Sequence, residues 1–272
     1  MSRKNIFDVL EKKMDINYEM RRILEMYNES VIDNYTLEEY FDEYCLSNWK
    51  NRNRFLSTEE MRIKLNITDD DIIKSADENT YLFFLEFIFN LIWQCDMTMS
   101  ENEFYTKEFN YLYENVQSVV DYLGYEVKVF GEQEKVLLVE KNAAMTAVAE
   151  IVEPNLAYEV IEYNHHSMKG DISGKQKILK ILTDKFEPIR GELKKINKEL
   201  ESSTGYLLNK MNIRHNNIEG KNAIGYVKNL SNEELEEWYD EIYQMLLLCI
   251  LEYDNIERNK KVGELKNIIE GG

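Results

Sequence analysis

Apolar residues recur along most of this chain at spacings of three and four, the period that gathers them on one face of an α-helix. Ile6, Leu10 and Met14, then Met20, Ile23 and Tyr27, open the series. Asn28-Glu29-Ser30 and Asp33-Asn34 interrupt it. Thr36-Leu37-Glu38-Glu39 then has the form of a capping box, in which hydroxyl and carboxylate each satisfy a backbone N–H. It predicts a helix through Tyr40, Phe41, Tyr44 and Trp49. Ser57-Thr58-Glu59-Glu60 repeats the device ahead of Met61 and Leu65, and Thr68 to Asp71 opens another helix. Tyr81 to Trp93 is apolar on almost every side and belongs at the centre of a bundle, with Glu86 and Asn90 sharing one face, either as a groove-edge or satisfied core pair or as a buried polar pair of functional interest. Phe104, Phe109, Leu112, Val116, Val119 and Leu123 make the next helix, ended by Gly124.

The period changes at Tyr125. Tyr125 to Val129 alternates with period two, Gly131 to Glu134 reads as a turn, and Lys135 to Glu140 is rich in aliphatic residues: a β-hairpin. Helical spacing then returns. Asn142 caps a helix that Pro154 stops, and a second helix carries Leu156, Val160, Ile161 and Tyr163 into a histidine stretch ended by Gly170. A long helix from about Gly174 to Leu200 is expected to kink ahead of Pro188, because proline lacks an N–H and crowds the preceding turn. Tyr206 to Ile213 is helical, residues 218–229 read as loop, and Ser231-Asn232-Glu233-Glu234 caps the last long helix, with a lysine-rich tail that frays. The fold class is therefore mainly α, a multi-helix bundle with one inserted β-hairpin at about 125–140. A boundary is expected near 124, giving an N-terminal helical region, 1–123, and a hairpin-plus-helix region, 124–272, unless the two run together as one domain.

Composition narrows the functions. The chain has 272 residues, two prolines and a formal charge of −18, which argues against a broad electrostatic grip on nucleic acid or an anionic membrane. Three acids at the start of the helix from Asp69 likewise oppose a helix-turn-helix reading of DNA. From His165 to Arg214, however, eleven Lys/Arg face six acids, so this stretch carries +5 and the rest −23. Cys45, Cys95 and Cys249 form no CxxC pair and read as buried, reduced thiols. No signal core or spanning segment is evident, so a cytoplasmic protein without a membrane partner is expected.

Candidate chemistry gathers at the three histidines: His165 and His166 in Tyr163 to Asp171, and His215 in Ile213-Arg214-His215-Asn216-Asn217. Phosphate-loop, dinucleotide, hydrolase-elbow and zinc-protease motifs are absent, and no cofactor is implied. Adjacent histidines on one helix would point about 100° apart, so no metal site is expected. The remaining palette suits phosphodiester chemistry on RNA, which carries its own 2′-hydroxyl nucleophile and needs a base, an acid and a cation. His215, Arg214 and His166 are the candidate catalytic residues. Asn216, Asn217, Lys169, His165 and Asn164 are the candidate substrate-binding residues, with His166 and Lys169 facing together. The bland reading has Asn-rich helix ends capping backbone and Arg214 paired with an acid such as Glu162.

Arg214-His215 ahead of a final long helix resembles the HEPN superfamily, helical domains of which many are dimeric RNA-cleaving proteins of bacterial defence and toxin systems. The resemblance covers about residues 143–257. Glu162 and His166 have the spacing of that family's earlier acid and basic residue. The family's second histidine is missing, since Ile218-Glu219-Gly220-Lys221 stands in its place. The resemblance implies a metal-independent RNA-cleaving or RNA-binding homodimer, with a phage-defence or stress role. A second class stays open: a non-enzymatic protein-interaction or assembly module, with a protein partner and a purely structural polar cluster.

Overall fold

A computed structural model describes residues 14–75, 77–98 and 107–271. Ile6, Leu10 and Phe104, placed on helices by their spacing, lie outside the described residues. The chain is mainly helical and divides into two compact units, Met1–Glu140 and Lys141–Gly272.

In the first unit, α1 (Ile16–Asn28) starts at Asp15, whose carboxylate accepts from the Tyr18 N–H, and buries Met20, Ile23, Leu24 and Tyr27. Where the sequence shows only a break, the chain makes a small ribbon, β1 (Ser30–Ile32) with β2 (Tyr35–Thr36). Asp33 and Asn34 both take positive φ, 42° and 73°, the conformation a tight two-residue turn requires. The Thr36–Glu39 capping box forms as expected and starts α2 (Leu37–Tyr40). The helix to Trp49 does not follow as one piece: the backbone widens into a π turn at Phe41–Cys45 and tightens into a 3-10 turn at Leu46–Asn48. Thr58, at the start of α3 (Thr58–Leu65), donates from both N–H and hydroxyl to Asp42 and ties that irregular stretch down. Half of the second box forms. Ser57 accepts from Glu60, but the Glu60 carboxylate reaches past it to the N–H of Leu56.

The helix α4 (Asp69–Ser75) leads to α5 (Glu78–Thr98), which buries Tyr81, Leu82, Phe84, Leu85, Ile88 and Leu91 and runs through the unit's core as its all-round apolarity predicts. Next come α6 (Lys107–Tyr122) and the hairpin of β3 (Tyr125–Phe130) and β4 (Lys135–Glu140), in register from Tyr125 opposite Glu140 to Phe130 opposite Lys135. Glu86 and Asn90 of α5 explain how the hairpin is held. Asn90 donates to the Val136 carbonyl at 2.8 Å and accepts from the Val136 N–H at 3.0 Å, while Glu86 accepts from the Leu138 N–H at 2.7 Å. One helix face thus stands in for a third strand along the free edge of β4. The hairpin therefore belongs to the first unit. The boundary falls after Glu140, a correction to the expected one at 123/124.

The second unit is all helical among its described residues: α7 (Ala143–Ala149), α8 (Pro154–Glu162), α9 (Ile172–Ile196), α10 (Lys198–Lys210), the single turn α11 (Gly225–Lys228) and α12 (Asn232–Glu270). Pro154 is the first residue of α8 rather than a stop for α7, which had already ended; its fixed φ and missing N–H suit a helix start. Pro188 lies inside α9 without ending it. That helix stops four residues earlier than expected, because the Asn197 side chain accepts from the Leu200 N–H and begins α10. The core is the packing of α9 along α12, with Leu182, Phe186, Leu193, Tyr239, Ile242 and Leu246 buried and α7, α8 and α10 closing around it. The tail does not fray; α12 continues to Glu270. All three cysteines are buried, and no described helix is long and apolar enough to cross a membrane.

Candidate functional site

The first histidine stretch is folded into the second unit. It is not helical throughout, because α8 ends at Glu162 and a 3-10 turn follows at His166–Met168. His165 is the residue before that turn, and its Nδ1 lies 2.7 Å from the Ser167 hydroxyl. The turn brings the two imidazoles side by side, centroids 4.2 Å apart, instead of the divergent pair a helix would give. His166 is buried and Lys169 exposed, so the expectation that they face together fails for the same reason: there is no helical face for them to share. Asn164 donates to the Tyr243 hydroxyl, which donates on to the Val160 carbonyl.

Around this stretch lies a network that residue types alone did not reveal. Tyr163 stacks on Tyr243 at 4.0 Å between centroids, and its hydroxyl donates to Asp240. Lys175, one turn into α9 and only 6% exposed, reaches both Glu236 at 2.8 Å and Asp240 at 2.6 Å. Its ammonium also sits 5.2 Å from the Tyr163 ring centroid, within cation–π range. Glu236 accepts in addition from the Gly170 N–H. Burial, with Asp240 beside it, pushes the Tyr163 hydroxyl far above the tyrosine range. Burial opposes ionisation of Glu236, yet the Gly170 N–H and the Lys175 ammonium outweigh it and hold the carboxyl below its ordinary value. A cation, two carboxylates and a hydroxyl that satisfy one another do not offer a free acid or base. The signal that could have found this network is Glu236 and Asp240, four apart on the last helix.

The second stretch is an irregular loop after α10, and most of its polar residues serve its own backbone. Asn217 is buried and accepts from the Asn212 N–H, while Asn212 accepts from the Asn217 N–H, each at 3.0 Å. Asn212 holds this fold at φ 61°, a left-handed backbone that asparagine tolerates. The Asn216 side-chain oxygen accepts from Ile218 and Glu219, closing a local turn. Gln176 of α9 donates to the Asn212 carbonyl and pins the loop to the core. Arg214 is ion-paired, as the bland reading foresaw, but with Glu187 of α9 instead of Glu162; it also donates to Asn209 at 3.2 Å. Burial lowers its guanidinium.

His215 is the exception. It is exposed, and it lines two neighbouring grooves of the second unit. One, of about 360 Å³, is bordered by Lys180, Arg214, Asn216 and Glu219; the other, of about 530 Å³, by Lys210, Lys221 and Asn222. With Arg214 already paired to Glu187, three lysines therefore stand against one groove-lining carboxylate, Glu219, around a single imidazole. Neither groove includes any residue of 164–169, so the structure does not bring the two histidine stretches together at one groove.

The arrangement defines a mainly helical protein whose second unit carries one closed polar network and one open, cation-rimmed histidine loop. No family model, curated protein or solved structure significantly matches the chain.

Proposed function

We infer that the second unit binds single-stranded RNA through its phosphates, along the paired grooves that His215 lines. The observation that carries this reading is the concentration of Lys180, Lys210 and Lys221 around one exposed imidazole in a chain of net charge −18. Lysines act as point charges for phosphate, and an exposed ring provides a surface on which a base can stack. The HEPN-like order, Arg214-His215 followed by a final long helix, supports the same substrate class and a defence or stress role in the cytoplasm.

Binding is favoured over cleavage. His215 has no hydrogen bond or ion pair among the described residues, so nothing fixes the imidazole for in-line proton transfer. Arg214, the cation for a charged phosphorane, is already committed to Glu187.

Fluorescence anisotropy with an unstructured RNA oligonucleotide over a range of salt tests the reading. Lys210→Ala with Lys221→Ala should weaken binding several-fold and flatten the salt dependence by about one to two phosphate contacts. A wild-type protein that ignores RNA at low salt would sink it. The same oligonucleotide in EDTA reads cleavage, and cleavage lost on His215→Ala would restore the enzymatic version. The protein-interaction module is the second reading, favoured by Asn216 and Asn217 being spent on loop backbone.

A further inference from the structure

The last helix outruns the unit it belongs to. Its buried positions end at Ile250, yet α12 continues for twenty residues to Glu270. Along its packed half, Glu241, Gln244 and Leu248 are the exposed positions among buried neighbours, so they mark the face turned away from the core. Continued at alternating steps of three and four, that face reads Leu248, Leu251, Asn255, Arg258, Val262 and Leu265. This is the a/d seam of a coiled coil, apolar at both ends and polar in the middle. Leu248, Val262 and Leu265 are all about half exposed.

We propose that this seam pairs with the same seam of a second copy of the chain, the two helices running antiparallel about a two-fold axis near residues 256 and 257. The sequence complements itself in that register. Leu248 meets the second copy's Leu265, Leu251 meets Val262, and Asn255 meets Arg258, so apolar layers face apolar and polar faces polar. Beside the seam Asp254 comes opposite the second copy's Lys261, and symmetry makes the attraction twice. A parallel pair would instead set Arg258 on Arg258 and Lys261 beside Lys266, like charges in both cases. Residues 254–270 also hold four basic and four acidic side chains, a neutral segment in a chain of −18, so two copies can meet here without the repulsion they would feel elsewhere. Residues 248–265 give a seam about 27 Å long at 1.5 Å per residue, a short contact whose assembly depends on concentration.

Sedimentation equilibrium of the full chain up to high micromolar concentration tests the pairing. The wild type should reach dimer. Lys261→Asp, or Asp254→Lys, turns both attractive pairs repulsive and should weaken the dimer about tenfold. Both side chains are solvent-accessible, and unchanged circular dichroism confirms that the fold is kept. An equimolar mixture of the two variants should recover association as a heterodimer, because one variant is then acidic at both positions and the other basic at both, so each charge meets its opposite. The antiparallel pairing is overturned by a wild type that stays monomeric throughout, by a Lys261→Asp dimer as tight as wild type, or by a mixture that associates no better than either variant alone.

Discussion

The second unit contains two polar regions of nearly the same chemical vocabulary and opposite physical character. Around Tyr163 and Lys175, every charge has a partner of the other sign, and Lys175 and Tyr163 are buried while Asp240 reaches the surface. Around His215, Lys180, Lys210 and Lys221 outnumber the one carboxylate on the groove rims, Glu219, and the ring stands in solvent. Residue type does not separate the two; satisfaction does. A buried charge without a partner is so unfavourable that a network like the first must close on itself. An open loop is under no such constraint, and of these two regions it is the one that leaves lysines without an ion-pair partner among the described residues.

The comparison breaks most sharply at Lys175. Lys175→Met leaves Glu236 facing Asp240 with no cation between them, and the Tyr163 hydroxyl beside an uncompensated carboxylate. Loss of one member of a buried ion pair costs roughly 3–5 kcal/mol, and the half-exposed Asp240 brings the expectation to about 3 kcal/mol. Urea unfolding with a probe in the second unit reads it, since two units need not unfold together. A loss below about 1 kcal/mol, the range of surface pairs, would mean that the network is only a surface pairing.

A smaller effect appears on acidification. The Glu236 carboxyl lies below its ordinary value of 4.5 in the folded chain. Its contribution is therefore fully present above that value and disappears as pH falls through the lower folded value. Glu236→Gln removes one proton-linked group, so the stability difference between wild type and variant should narrow below pH 4.5 and stay constant from there to neutrality. A difference that widens on acidification would reverse the assigned direction.

These two regions also show what a sequence discloses. Helices, caps and the hairpin were legible, because spacing, Thr36–Glu39, Ser231–Glu234 and the period change at Tyr125 are local. The ribbon at Asp33-Asn34 was not, since two or three residues per strand leave no period to detect. The domain boundary was misplaced because the partners of β4 are Glu86 and Asn90, some fifty residues away in the chain. Among candidate site residues, Arg214 was foreseen as ion-paired but its partner was not, and His166 and Lys169 were assigned to a helix that had already ended. Spacing arguments carry over only while the backbone keeps the assumed period. Glu236 and Asp240 satisfied that condition, four apart on a real helix, and lacked only a visible reason to be singled out.

His215 supplies the smallest expected effect and the sharpest separation. It is exposed and makes no hydrogen bond or ion pair among the described residues, so His215→Ala should alter stability by no more than about 0.5 kcal/mol, as substitutions at unconstrained surface positions do. If the ring is a stacking surface for RNA, the same substitution should still lower affinity by about 1–3 kcal/mol, with the salt dependence unchanged because no phosphate contact is lost. His215→Tyr should then retain much of the affinity, since an aromatic face survives while the titratable nitrogen does not. If affinity instead fell equally in both variants and the salt slope dropped, the imidazole would be acting as a charge. The open loop would then be a phosphate seat alone, distinguished from the closed network around Lys175 by holding more cations than carboxylates to answer them.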